Sequence, residues 1–173
     1  MNSNQLLENE YAGYFSTYIN RVENNNLQEE LEICLHEFIK FVQNIPLDKF
    51  DFRYAEGKWT IKEIIQHIID TERIFAYRAL RISRNDQTPL PGFDENEYAD
   101  GAKFSEISFE SLLNQYRLVR EGSLALFESF SEEVCSQIGS ANGNAVSARA
   151  LVWMIAGHEI HHLKVLQDKY NVG

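Results

Sequence analysis

Apolar residues recur with a helical period along most of the chain. Leu31, Leu35, Phe38 and Val42 step by four, three and four, which predicts a helix over about 27–44 with one buried stripe, halted by Pro46. A second helix is predicted from Thr60 to about Arg84. Thr60-Ile61-Lys62-Glu63 is a capping box, and Ile61, Ile64, Ile65, Ile68 and Phe75 supply the core face. Beside that face runs a mixed stripe of Glu63, His67, Asp70 and Ile74. A third helix over about 109–130, capped by Ser108, turns Phe109, Leu112, Leu113, Tyr116, Val119 and Phe127 inward. The fourth starts near Ser147 and runs to about Lys169. Its stripe is Leu151, Ile155, His158, His162 and Val165, so two histidines stand where core residues are expected. No segment alternates with a period of two. The pattern therefore predicts an all-α four-helix bundle without a sheet.

The intervening stretches have their own character. Tyr11, Tyr14, Phe15 and Tyr18 suit a short helix or lid before Asn24-Asn25-Asn26 breaks the pattern. The mixed aromatic and charged stretch from Asp48 to Trp59 reads as an ordered loop. Asn85 to Ile107 is a long connection containing Thr88-Pro89-Leu90-Pro91-Gly92-Phe93-Asp94-Glu95. A connection of that length suits a crossover, which would let the second and third helices run parallel. Ser131 to Asn144, polar and glycine-bearing, reads as another connection.

At 173 residues the chain is most simply one domain, 1–173, with room for a sizeable core. The formal charge of −10 argues against nucleic acid as a partner, because a phosphate-binding surface needs a basic stripe. No apolar run reaches membrane-spanning length, and Met1-Asn2-Ser3-Asn4-Gln5 does not open a signal peptide. Cys34 and Cys135 are isolated from each other and from any CxxC spacing, as expected of buried thiols in a reducing cytoplasm.

The chemistry gathers at Gly157-His158-Glu159-Ile160-His161-His162, which holds three of the five histidines. His158 and His162 lie one helical turn apart on one face, an arrangement that can hold a divalent transition metal. Core histidines bonded to carboxylates or water are the plainer alternative. The segment also matches HExxH, the zinc protease pattern with Glu159 as general base. Against that reading, the 11 residues after His162 include no His, Cys or Glu to serve as a third ligand, and Glu159 lies one position round from the inward stripe. In a bundle the expected third ligand is His67, placed mid-helix beside a core face, whereas His161 points away and His36 sits alone. Three imidazoles leave an open position, the mark of a catalytic site. Glu63, Asp70, Asp94 and Glu95 are candidates for the surrounding pocket. No general acid or base is assigned.

Arg53-Tyr54-Ala55-Glu56-Gly57-Lys58-Trp59-Thr60 with Glu63 and His67, then Pro89-Leu90-Pro91-Gly92-Phe93-Asp94-Glu95, then the terminal H-x-x-H-H, resemble the DinB/YfiT-like superfamily of bacterial four-helix-bundle metalloproteins. The resemblance covers the chain from about residue 50 onward. It implies an up-down-down-up bundle, a homodimer, and a nickel or zinc ion held by His67, His158 and His162. The family includes metal-dependent hydrolases and enzymes that use a low-molecular-weight thiol, such as bacillithiol transferases and mycothiol-dependent isomerases. A small-molecule substrate, possibly such a thiol, is therefore the expected partner. Two functions compete: an enzyme whose metal activates a thiol or water, and a binding bundle whose metal only knits two helices together.

Overall fold

The computed structural model describes residues 6–23, 26–102 and 107–172. Of the break read at Asn24-Asn25-Asn26, the first two residues lie outside these ranges. Seven helices occur in the described residues: α1 (Ser16–Ile19), α2 (Leu27–Gln43), α3 (Ile61–Ser83), α4 (Glu95–Gly101), α5 (Phe109–Glu128), α6 (Glu132–Cys135) and α7 (Ala148–Tyr170). The four long ones are those read from the periodicity; the stripes of α2 and α3 are buried, while in α5 and α7 Phe109, Leu113, Val119, His162 and Val165 are half-buried. Thr60 Oγ1 accepts from Glu63 N at 3.2 Å, and the Glu63 carboxylate accepts from Thr60 N, so the capping box is complete. Ser108 and Ser147 cap α5 and α7 by accepting from the amides of Ser111 and Ala150.

Two hydrophobic clusters show how the helices run. At one end the first half of α2, the second half of α3, Phe127 of α5 and the first half of α7 pack together. At the other end sit the second half of α2, the first half of α3, the first half of α5 and the last turns of α7. Hence α3 and α5 are parallel to each other and antiparallel to α2 and α7, an up-down-down-up bundle. The crossover from Asn85 makes the parallel pair possible.

Between the clusters lies a buried charged layer. Arg120 of α5 donates to both Glu72 oxygens at 2.9 Å and to Glu159 at 2.7 Å, and Tyr116 donates to Glu159 at 2.8 Å. All four side chains are buried. One layer thus ties α3, α5 and α7 together, and Arg120 reaches α2 through the Leu31 carbonyl at 3.1 Å.

One expectation fails. Residues Ile138–Ala141 (β1) and Asn144–Ser147 (β2) form a two-stranded antiparallel sheet where a plain connection was read. The turn is Asn142-Gly143, both with positive φ (51° and 74°), as a two-residue hairpin turn requires. The crossover docks on this hairpin: Leu90 N donates to Ser140 O and Asn142 N donates to Leu90 O, both at 2.9 Å. The segment before α2 lies across α7, and Arg149 pairs with the buried Glu10 to hold it.

Candidate metal centre

The antiparallel register of α3 and α7 brings His67 against His158 and His162. His158 Nε2 lies 2.9 Å from His67 Nε2 and 3.1 Å from His162 Nε2. All three ring nitrogens lie within 4.8 Å of one another. Such crowding is awkward for imidazoles alone. A neutral ring nitrogen carries either one proton or one lone pair, so His158 Nε2 can satisfy one of its two neighbours. A cation accepting all three lone pairs removes the conflict. Zinc–nitrogen bonds of about 2.0–2.1 Å would set neighbouring nitrogens roughly 3.3 Å apart, close to the two short separations. The residues fit a divalent metal ion.

Protonation supports the fit. Burial lowers the pKa of His67 to about 4 and takes His158 and His162 well below the usual histidine value, with the neighbouring imidazoles adding to the effect. All three are therefore neutral near pH 7, the form that binds metal. Their rings are held mainly by packing. Trp59 lies 4.7 Å from His67 between ring centroids, and Tyr18 meets His158 and His161 edge-on at 5.5 Å. His162 Nδ1 is buried without a hydrogen-bond partner.

Glu159 is turned into the charged layer with Arg120 and Tyr116, so it does not face the triad. Burial pushes its carboxyl above the usual range, against the pull of Arg120. The HExxH geometry is absent. His161 also stays outside the triad, beside Tyr18.

The four pocket candidates have separate fates. Glu63 accepts two bonds from Arg53, at 2.8 and 2.9 Å, besides its capping bond. Asp70 accepts from Gln66 at 2.9 Å and Arg73 at 3.0 Å. Asp94 caps α4 through the amides of Asn96 and Glu97. Glu95 is exposed, and with Glu63 and Asp70 it borders a narrow hollow against His67.

Two larger cavities reach the triad. One, of about 200 Å³, is lined by Tyr18, His67, Thr71, Arg78, Phe93 and His158 among others. The other, of about 240 Å³, is lined by Tyr54, Lys58, Trp59, His162 and Tyr170. Glu95 borders both. Sequence reasoning missed Tyr18, Thr71 and Arg78. Helical period could have found the last two, since positions four and eleven beyond His67 fall within about 40° of it around α3.

The family model of the DinB superfamily matches residues 30–166. The chain belongs to the DinB superfamily. A candidate metal-dependent hydrolase of Oceanobacillus iheyensis, OB0413, is 25% identical over 138 residues, spanning 78% of each chain. Among solved structures, YfiT from Bacillus subtilis, described as a probable metal-dependent hydrolase with an unusual four-helix bundle topology, superposes with a TM-score of 0.71. It is 14% identical, covering 98% of this chain and 94% of that one. A mycothiol-dependent maleylpyruvate isomerase superposes with a TM-score of 0.65 at 18% identity, over 83% of this chain and 61% of its own. At such identities the two structures establish the shared fold. No described helix of this DinB-superfamily chain is long and apolar enough to cross a membrane.

Proposed function

We propose that this DinB-superfamily chain is a metal-dependent enzyme acting on a small thiol. His67, His158 and His162 hold one divalent ion, zinc or nickel, since imidazole nitrogen suits both. When bound, such an ion supplies a Lewis acid that lowers the pKa of a thiol or a water toward neutrality. The observation that carries the reading is the crowding of His158 Nε2 by two other Nε2 atoms at a point reached by two cavities. Two approaches suit a transfer between two small molecules better than a purely structural ion does.

The chain's own groups favour a thiol over water. Among the described residues no carboxylate makes a hydrogen bond to the three histidines, and Glu159 is engaged elsewhere. A water nucleophile usually requires a positioned base, whereas a thiol deprotonated by a metal does not. Trp59 and Tyr18 pack against the rings of His67 and His158. The hydrolase names of the relatives favour a second reading, and one observation supports it here: Glu95 borders both cavities and could serve as the base.

The test is a panel of thiols with an aromatic halide as electrophile, and a panel of esters, using zinc- or nickel-loaded protein. Thiol transfer lost in His67→Ala and kept in Glu95→Gln is expected. Ester hydrolysis without thiol transfer, abolished by Glu95→Gln, would move the assignment to a hydrolase. Rates unaffected by His67→Ala would overturn both.

A further inference from the structure

We propose that Arg78 and Thr71 form an anion-binding subsite in the cavity that opens on His67 and His158, so that the substrate carries a carboxylate or similar oxyanion at the end remote from the metal. The inference rests on the metal-centre reading for the position of the reacting end, but the subsite stands on its own residues.

Arg78 is 6% exposed and lines the cavity. Among the described residues no carboxylate pairs with it. Its one hydrogen bond is from Nη2 to the Pro91 carbonyl at 2.6 Å, and it lies 5.8 Å from the ring centres of Phe75 and Phe93. The contrast within the fold is sharp. Buried Arg120 faces Glu72 and Glu159, and Arg149 faces Glu10. A guanidinium withdrawn from water without a countercharge is costly, which makes it a receptor for an anion that arrives with the substrate. Thr71 supplies the second observation. It is 3% exposed, lines the same cavity, and its Oγ1 is buried with no hydrogen-bond partner.

The subsite is built rather than incidental. Leu90 holds the crossover on the hairpin, its N donating to Ser140 O and its O accepting from Asn142 N, and Gly92 lies close against the Asn142 side chain. Pro91, next to Leu90 in this docked segment, presents the carbonyl that accepts from Arg78. Helical side chains lean toward the N-terminus, and the guanidinium lies near the ring of Phe75, three residues back, so Arg78 reaches toward His67. The eleven-residue step from His67 to Arg78 spans roughly 16 Å of axis, part of it covered by the arginine stem. A chain of several atoms between anion and reacting group fits what remains. Thr71, one turn beyond His67, lies along that path.

The probes are mercaptoacetate, 3-mercaptopropionate and 6-mercaptohexanoate, each against its uncharged alcohol, titrated into cobalt-loaded protein and read by thiolate-to-cobalt charge-transfer absorption. Hexanoate is added to metal-free protein in parallel, and its thermal shift is read. The longest acid should bind about ten- to a hundredfold more tightly than 6-mercaptohexanol, the range of a charge-assisted hydrogen bond. Arg78→Met should remove the preference, Arg78→Lys retain part of it, and Thr71→Val reduce it. If the Met variant fails to fold, the Lys and Val variants still decide. Equal affinity for acid and alcohol, or a preference untouched by these substitutions, overturns the subsite. An Arg78-dependent hexanoate shift without any charge-transfer band would instead overturn the metal centre and leave the subsite standing.

Discussion

Gly157 sits in the buried middle of α7, one residue before His158, and its replacement by alanine sets two effects against each other. Alanine is favoured over glycine in a helix interior by about 1 kcal/mol, so α7 alone would gain. The tertiary contact opposes this. A Cβ there would lie 2.1 Å from the Tyr18 carbonyl oxygen and 2.5 Å from its carbon, where ordinary contacts begin at 3.4 Å. Both partners are backbone, so no rotamer relieves the clash and the segment containing α1 must retreat by more than 1 Å. Ile19 and Val22 are buried beneath that segment, and fully exposing such side chains costs about 1.5–3 kcal/mol each. The cost outweighs the helical gain, and Gly157→Ala should lose roughly 2 kcal/mol or more, lowering Tm by about 4–8 °C. Thermal and urea denaturation measure this, with proteolysis of the N-terminal segment as the local readout. Gly122→Ala on α5 is the control, because nothing lies within 4 Å of its Cβ position. It should be neutral or stabilised. A Gly157→Ala protein as stable as the control, with its N-terminal segment equally protected, would refute the steric reasoning.

Protein purified without chelator should carry about one divalent ion per chain by elemental analysis; His162→Ala should lose most of it and His161→Ala should keep it, since only the first belongs to the cluster of three. The metal-free protein should weaken on acidification. His67 binds its proton near pH 4 in the fold and near 6.5 when unfolded, so the unfolded chain takes up protons first. Stability is then full above about pH 6.5 and falls toward pH 4, by about 3 kcal/mol for this residue, and urea midpoints across that range measure it. Arg120→Met should cost about 3–5 kcal/mol in urea denaturation, because it leaves Glu72 and Glu159 buried without their shared cation. Glu159→Gln should keep its metal content in the same elemental assay; loss of metal would show that the charged layer also governs the triad.

The helices themselves were legible in the chain because helical structure is decided by residues three and four apart. The stripe of α2, the capping box of α3 and the shared face of His158 and His162 depend only on such neighbours. The turn of the hairpin is legible too, as Asn142-Gly143, but its four-residue strands alternate too weakly to stand out from a polar connection. Spacing also suggested that Glu159 faces away from His158. Its actual partners, Arg120 and Tyr116 on α5, could not be read from it, since those contacts span 39 and 43 residues. The meeting of His67 with His158 crosses 91 residues and rests on the antiparallel register of α3 against α7. Arg78 presents the same limit most clearly. An arginine on a helix normally finds water or a carboxylate, and although helical period places this one on the face of His67, nothing local gives its burial. Tertiary packing, with Pro91 and Phe93 of the crossover against the guanidinium, withdraws it from solvent, because burial is a property of what surrounds a residue and not of its neighbours in the chain.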